Sequence, residues 1–214
     1  GAMDTERERK HKGWYSRGYI PHFDQPGLIQ AITFRLSDSL PLERRAEWEA
    51  WLDVDDDAKR RTRLQLYLDR GLGACWLRDP RIARIVEGAL LFADGDRYRL
   101  LAWVVMPNHV HALIETLPGG ALDKIVHSWK SYTANIANHL LHREGAFWFR
   151  EYYDRFIRDD THFERAVSYI HANPVKAGLV ERAEDWPFGS ARLVPALDAT
   201  FHAPFEGRRL LDDN

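Results

Sequence analysis

Apolar and polar positions along this chain change period several times. Residues 28–36 (LIQAITFRL) alternate toward the two-residue repeat of a half-buried strand. Residues 42–52 and 58–71 carry apolar side chains at three- and four-residue intervals, the stripe of an amphipathic helix, and the run Asp55-Asp56-Asp57 separates them. Helical spacing returns from Pro80 to Phe92, opened by proline and stopped by the turn Asp94-Gly95-Asp96. Two β-branched apolar runs, 98–106 and 109–116, flank Pro107-Asn108 and predict a hairpin whose turn type stays open. A long helix is expected over 122–142 and a fourth strand over 148–157. A last helix over 161–172 should stop at Asn173-Pro174, because proline disfavours helical geometry in the residue before it.

The order β, α-insert, β, β, α, β, α predicts an α+β fold: a ferredoxin-like antiparallel sheet with helices on one face. A helical insert (38–92) elaborates it after the first strand, and a C-terminal extension follows it. One domain should run from 14 to 190, with Trp186 and Phe188 closing the core, and a tail from 191 to 214. Residues 4–13 are charged and lack apolar periodicity, which predicts a disordered arm behind Gly1-Ala2-Met3, read as a tag-cleavage scar. Residues 14–26 mix aromatics, Gly and Pro and are expected to pack irregularly on the core.

At 214 residues and 45% hydrophobic, the chain has enough apolar surface to bury one substantial core. It has no apolar stretch of membrane-span length and no signal-peptide core. The single cysteine, Cys75, excludes an internal disulfide and any CxxC metal site, which fits a bacterial-type cytoplasmic enzyme. The net charge of −2 argues at first against a nucleic-acid partner. Its distribution changes that. Residues 38–57 hold eight carboxylates against two arginines, a local −6, and leave the remainder at +4. The acidity thus belongs to the insert. The helices of 38–71 are expected to face away from any DNA-binding surface, since such charge beside phosphates is costly.

Two short patterns carry candidate chemistry. In His109-Val110-His111 the side chains alternate across a strand, so both imidazoles share one face, where a pair can hold one metal ion. The same pattern is also compatible with ordinary buried histidines. Tyr169 and Asn173 are four apart and share a helical face, which puts a phenol beside an amide oxygen. Equally, Tyr169 fits a core aromatic and Asn173 a helix cap.

Four blocks occur in sequence: Met106-Pro107-Asn108-His109-Val110-His111; 153–158 (YDRFIR); 169–180 (YIHANPVKAGLV); and 185–190 (DWPFGS). Together they resemble the REP-associated tyrosine transposases, a branch of the single-tyrosine HUH (IS200-like) transposases, over roughly residues 14–190. The resemblance implies that His109 and His111 bind a divalent ion, Mn²⁺ or Mg²⁺, with Asn173 as third ligand. Zn²⁺ suits the ligands but is less favoured by resemblance. It implies Tyr169 as nucleophile in cleaving and rejoining single-stranded DNA through a 5′-phosphotyrosine, beside palindromic hairpins. The acidic insert, the low overall charge and the tail depart from that pattern.

Lys130, Arg155, Arg158 and Lys176 flank the blocks and are candidates for phosphate contact, or for ordinary solvated charge. Trp148, Phe149, Tyr152 and Tyr153 suit base stacking or, more often, core packing. Two other function classes stay open: a hairpin-binding protein with little or no nuclease activity, and a metal-dependent hydrolase, for which the extra carboxylate or histidine ligands are not apparent. Sequence leaves monomer and dimer equally open.

Overall fold

The computed structural model describes residues 28–194, with the expected arm, the 14–26 segment and the end of the tail lying outside them. Four strands form one antiparallel sheet: β1 (Ile29–Leu36), β2 (Tyr98–Val105), β3 (His109–Thr116) and β4 (Trp148–Phe156). Their spatial order is β2-β3-β1-β4, the ferredoxin-like arrangement that the sequence predicts. β1 lies between β3 and β4, and Thr33 sits opposite His111 on one side and Tyr153 on the other.

Helices α1 (Arg45–Leu52), α2 (Asp57–Asp69) and α3 (Pro80–Phe92) lie between β1 and β2 in the chain. Helix α4 (Leu122–Leu140) joins β3 to β4, and α5 (Asp160–Lys176) follows β4. Three of these five helices carry a side-chain cap at the start. Asp56, Asp79 and Asp159 each accept a backbone N–H of the first turn, from Lys59, Arg81 and His162 respectively.

The two faces of the sheet are covered differently. Helices α3 and α4 pack Ile82, Val86, Ile125 and Trp129 on Phe34, Val110, Ala112 and Ile114 to make the main core. The Trp129 indole donates to the Tyr98 hydroxyl (2.9 Å), which donates to the Leu90 carbonyl (2.6 Å), tying both helices to β2. The expected placement of helices on one face therefore holds for this pair. Helix α5 lies on the opposite face, packing Phe163 and Ile170 against Leu101, Val104 and Leu113.

Two boundaries differ from expectation. Helix α5 passes through Asn173-Pro174 and ends at Lys176. Gly178 sets that end: it has φ 73°, its N–H donates to the Val175 carbonyl (3.0 Å), and the Leu179 N–H donates to Pro174 (2.9 Å). The domain also continues past 190. Arg192 makes two 2.9 Å bonds to the Glu87 carboxylate, which also accepts the Trp103 indole N–H (2.8 Å). As expected, Trp186 and Phe188 close the core. The Trp186 indole donates to the Val105 carbonyl (3.0 Å), and the Val105 N–H donates to Phe188 (2.8 Å), covering the outer edge of β2.

Candidate active site

The turn before β3 positions the first histidine. The Met106 N–H donates to the His109 carbonyl (2.8 Å), so the hairpin closes on Pro107-Asn108. Asn108 is fully buried; its side-chain amide donates to the Leu72 carbonyl (3.2 Å) and its Oδ1 meets His109 Nδ1 at 2.8 Å. An oxygen acceptor there holds the proton on Nδ1 and turns the Nε2 lone pair into the site. His111 is buried as well, with Nδ1 2.8 Å from the Thr33 hydroxyl of β1. Its Nε2 is buried and, among the described residues, has no hydrogen-bond partner. Burial pushes the His109 imidazole down to about 4, opposed by the Asn173 side-chain oxygen, which favours the protonated ring. Burial, then the neighbouring His109, holds His111 well below the usual histidine range. Both rings are neutral at pH 7, the form in which imidazole binds metal.

Because α5 runs unbroken through Pro174, Tyr169 and Asn173 stand one turn apart on one face. The Asn173 Oδ1 lies 3.3 Å from His109 Nε2, and the Tyr169 ring packs edge-on to His111 with centroids 5.6 Å apart. The two histidine rings are themselves 5.0 Å apart. Tyr169 is about one-third exposed. Burial, then the charge of Asp69, raises its phenol above the ordinary value. The structure thus brings all four residues singled out by sequence to one place.

The fourth wall is a correction. Residues 38–71 were expected to face away from the site, yet α2 closes over it. The acidic run ends at Asp57: beyond it α2 carries Lys59, Arg60, Arg61 and Arg63 against the single carboxylate Asp69, followed by Arg70. Leu64, Tyr67 and Leu68 anchor the helix in a small core with Leu40. The Gln65 amide donates to Asp69 Oδ1 (2.8 Å) and to His109 Nε2 (3.1 Å), and is 3.5 Å from Asn173 Oδ1. The Asn173 amide donates to Asp69 Oδ1 (3.2 Å), which lies 3.9 Å from His109 Nε2. Since His109 is neutral, that last approach is no ion pair. Burial raises the Asp69 carboxyl, opposed by its bonds to Gln65 and Asn173 and by the charge of Lys176.

The sequence reading missed Thr33, Gln65, Asp69 and Asn108. Only Asn108, next to His109 in the turn, carried a local signal. Among the described residues there is no cluster of three His, Cys, Asp or Glu side chains shaped for a metal. The donor set depends on the Asn173 amide, and it suits a divalent cation: two buried neutral imidazoles, one unpartnered, beside an amide oxygen.

A cavity of about 830 Å³ opens over this cluster between α2, α5, β1 and β4. Arg155 and Lys176 line it, joined by Arg61 and Arg165, and Lys176 Nζ stands 5.1 Å from the Tyr169 ring centre. Burial, then the charges of Arg61 and Arg158, lowers the Arg155 guanidinium below its usual value, as expected where cations crowd. Arg158 is thus near the cluster without lining the cavity. Lys130 stands apart, its ammonium donating to the carbonyls of Phe149 (2.7 Å) and Arg150 (2.9 Å). Of the four β4 aromatics singled out for stacking, Trp148 is core and the Phe149 ring lies under the buried Arg35 guanidinium at 3.6 Å. Tyr152 packs on the main core; Tyr153, on the opposite face, lines the cavity.

Residues 80–173 match the family model described as "Transposase IS200 like". That span contains His109, His111, Tyr169 and Asn173. This segment is similar to the IS200-like transposases. A curated relative from Escherichia coli K12, the "REP-associated tyrosine transposase", is 33% identical over 110 residues, half of this chain and 63% of that protein. A Haemophilus influenzae relative, the "Putative REP-associated tyrosine transposase", is 30% identical over 104 residues, 44% of this chain and 58% of the relative. The chain therefore spans less than two thirds of the length of these relatives. A solved structure titled "Structure of the REP associates tyrosine transposase bound to a REP hairpin" superposes with a TM-score of 0.51 at 18% identity. It covers 84% of this chain and 86% of that one, a likeness of fold. The insert helix α2 lies outside the IS200-like segment, so Gln65 and Asp69 are brought to the site from beyond it. Among the described residues, no helix is long and apolar enough to cross a membrane.

Proposed function

We propose that the protein cleaves and rejoins single-stranded DNA at palindromic hairpins, with Tyr169 as nucleophile and a divalent ion held by His109, His111 and Asn173. The observation that carries this reading is the unpartnered Nε2 of buried His111, set beside His109 Nε2, Asn173 Oδ1 and the Tyr169 ring. A buried polar atom without a partner is costly, and a neutral imidazole nitrogen so placed is a waiting ligand. The ion, Mn²⁺ or Mg²⁺, supplies Lewis acidity toward a phosphate oxygen when bound.

The rest follows from the chain. The Tyr169 oxygen bonds to phosphorus, the bond to the 3′ oxygen breaks, and the phenolic proton is matched by the one the released 3′-OH gains. One phosphodiester replaces another, so a second 3′-OH can reverse the step. Helix α5 carries both nucleophile and amide ligand, so phenol and ion site are placed by one rigid element. Arg61, Arg155, Arg165 and Lys176 offer the DNA backbone a cationic cavity wall, and Tyr153 offers an unpaired base a ring. The named hairpin partner of the structural neighbour and the matched family support the same substrate class.

The test is cleavage of an end-labelled hairpin with a single-stranded flank. Wild-type protein should cut with Mn²⁺ and not after chelation, and His109→Ala and His111→Ala should each lose cutting while still folding. Binding without cutting under every metal condition would favour a hairpin-binding protein. Cutting that survives both substitutions would refute the ligand assignment.

A further inference from the structure

Three acceptors from different elements converge on one amide nitrogen. Gln65 Nε2 sits 2.8 Å from Asp69 Oδ1, 3.1 Å from His109 Nε2 and 3.5 Å from Asn173 Oδ1. A donor of partial positive charge surrounded by a carboxylate, an imidazole lone pair and an amide oxygen marks a point that favours a cation. From this geometry we infer that Asp69, supplied by α2, is a fourth protein ligand of the divalent ion, and that the Gln65 amide holds the ion's place until it binds. The inference rests on the reading of His109, His111 and Asn173 as metal ligands.

Spacing and charge both support it. Two ligands on one ion at about 2.1 Å lie about 3 Å apart when adjacent and about 4.2 Å apart when opposed. The 3.3 Å from His109 Nε2 to Asn173 Oδ1 and the 3.9 Å from His109 Nε2 to Asp69 Oδ1 fall within that range. Among the described residues, Asp69, His109 and His111 are not drawn together as a ready metal cluster, the Gln65 amide standing between Asp69 and His109. Two neutral imidazoles and an amide bring no negative charge to a dication that must leave water. Asp69 brings one, as an oxygen donor of the hard type that Mn²⁺ and Mg²⁺ prefer. It is also tied to the site already, accepting the Asn173 amide N–H at 3.2 Å and thereby turning Asn173 Oδ1 toward His109. The turn just beyond it is fastened at two points: the Asn108 amide donates to the Leu72 carbonyl (3.2 Å), and Asp38 accepts the Ala74 N–H (2.8 Å). The ion would thus join the sheet, α5 and the insert, which gives the insert a role in assembling the site.

Asp69 as ligand differs testably from Asp69 as mere support for Asn173. Asp69→Asn keeps a carbonyl oxygen that can accept from Asn173 and removes the charge. Titration calorimetry of the DNA-free full chain with MnCl₂ should show affinity at least tenfold weaker in Asp69→Asn. In Gln65→Ala, which removes the competing amide, affinity should be equal or a few-fold tighter. His109→Ala should bind no Mn²⁺ measurably. If Asp69→Asn binds Mn²⁺ within twofold of wild type while His109→Ala does not bind, the inference fails and the three-ligand reading stands. Wild-type affinity in both Asp69→Asn and His109→Ala defeats both. Equal losses in Gln65→Ala and Asp69→Asn would also overturn the inference, because α2 would then act through packing alone.

Discussion

The two faces of strand β3 spend the same eight residues in opposite ways. Val110, Ala112 and Ile114 point into the apolar core beneath α3 and α4. His109 and His111 point to the other face and are just as buried, but among polar groups, and among the described residues the Nε2 of His111 is left unpaired. One face holds the sheet in shape; the other uses that rigidity to keep two imidazoles neutral and fixed. On the proposed function, burial there serves chemistry at a cost in stability, as expected of functional sites.

Substitutions should separate the faces. The largest effect on stability belongs to the core side: Trp129→Ala removes a buried indole and its bond to Tyr98 and should cost about 3–5 kcal/mol. Denaturant unfolding would measure it, and the molecules still folded should bind Mn²⁺ as before. His111→Ala should cost far less, about 1 kcal/mol, because the cavity it leaves is offset by losing an unsatisfied buried nitrogen. Metal binding should nonetheless vanish in calorimetry. A loss as large as that of Trp129→Ala would make His111 a structural residue and erase the contrast. The smallest effect lies in the cavity wall. Arg155→Gln should leave folding unchanged and lower the log–log salt slope of hairpin binding by about 0.7–0.9, the share of one phosphate contact. An unchanged slope would put Arg155 outside the DNA path.

What sequence could show followed the range of its signals. The strand alternation that pairs His109 with His111, and the helical turn that pairs Tyr169 with Asn173, are local periodicities and were legible. So were the four strands, their antiparallel order and the closing role of Trp186 and Phe188. Helix α5 outran its predicted stop because Pro174 forfeits one backbone bond while Gly178, four residues on, supplies the conformation that ends a helix. The α2 wall was illegible for a different reason. Nothing near Gln65 or Asp69 in the chain says where the helix docks; Leu64, Tyr67 and Leu68 decide that in three dimensions. Treating 38–71 as uniformly acidic hid the basic run from Lys59 to Arg63, and so hid a helix suited to lie beside DNA.

The central claim is that Tyr169 is the nucleophile. Tyr153 lines the same cavity on the same face of the sheet, so it is the natural rival. Only Tyr169 packs against His111 and shares a helix face with Asn173. Mass spectrometry of the covalent complex trapped on a flanked hairpin in Mn²⁺ decides between them. The account predicts a nucleotide adduct on the Tyr169 peptide, absent in Tyr169→Phe and retained in Tyr152→Phe and Tyr153→Phe. An adduct on any other residue, or one that persists in Tyr169→Phe, would contradict it.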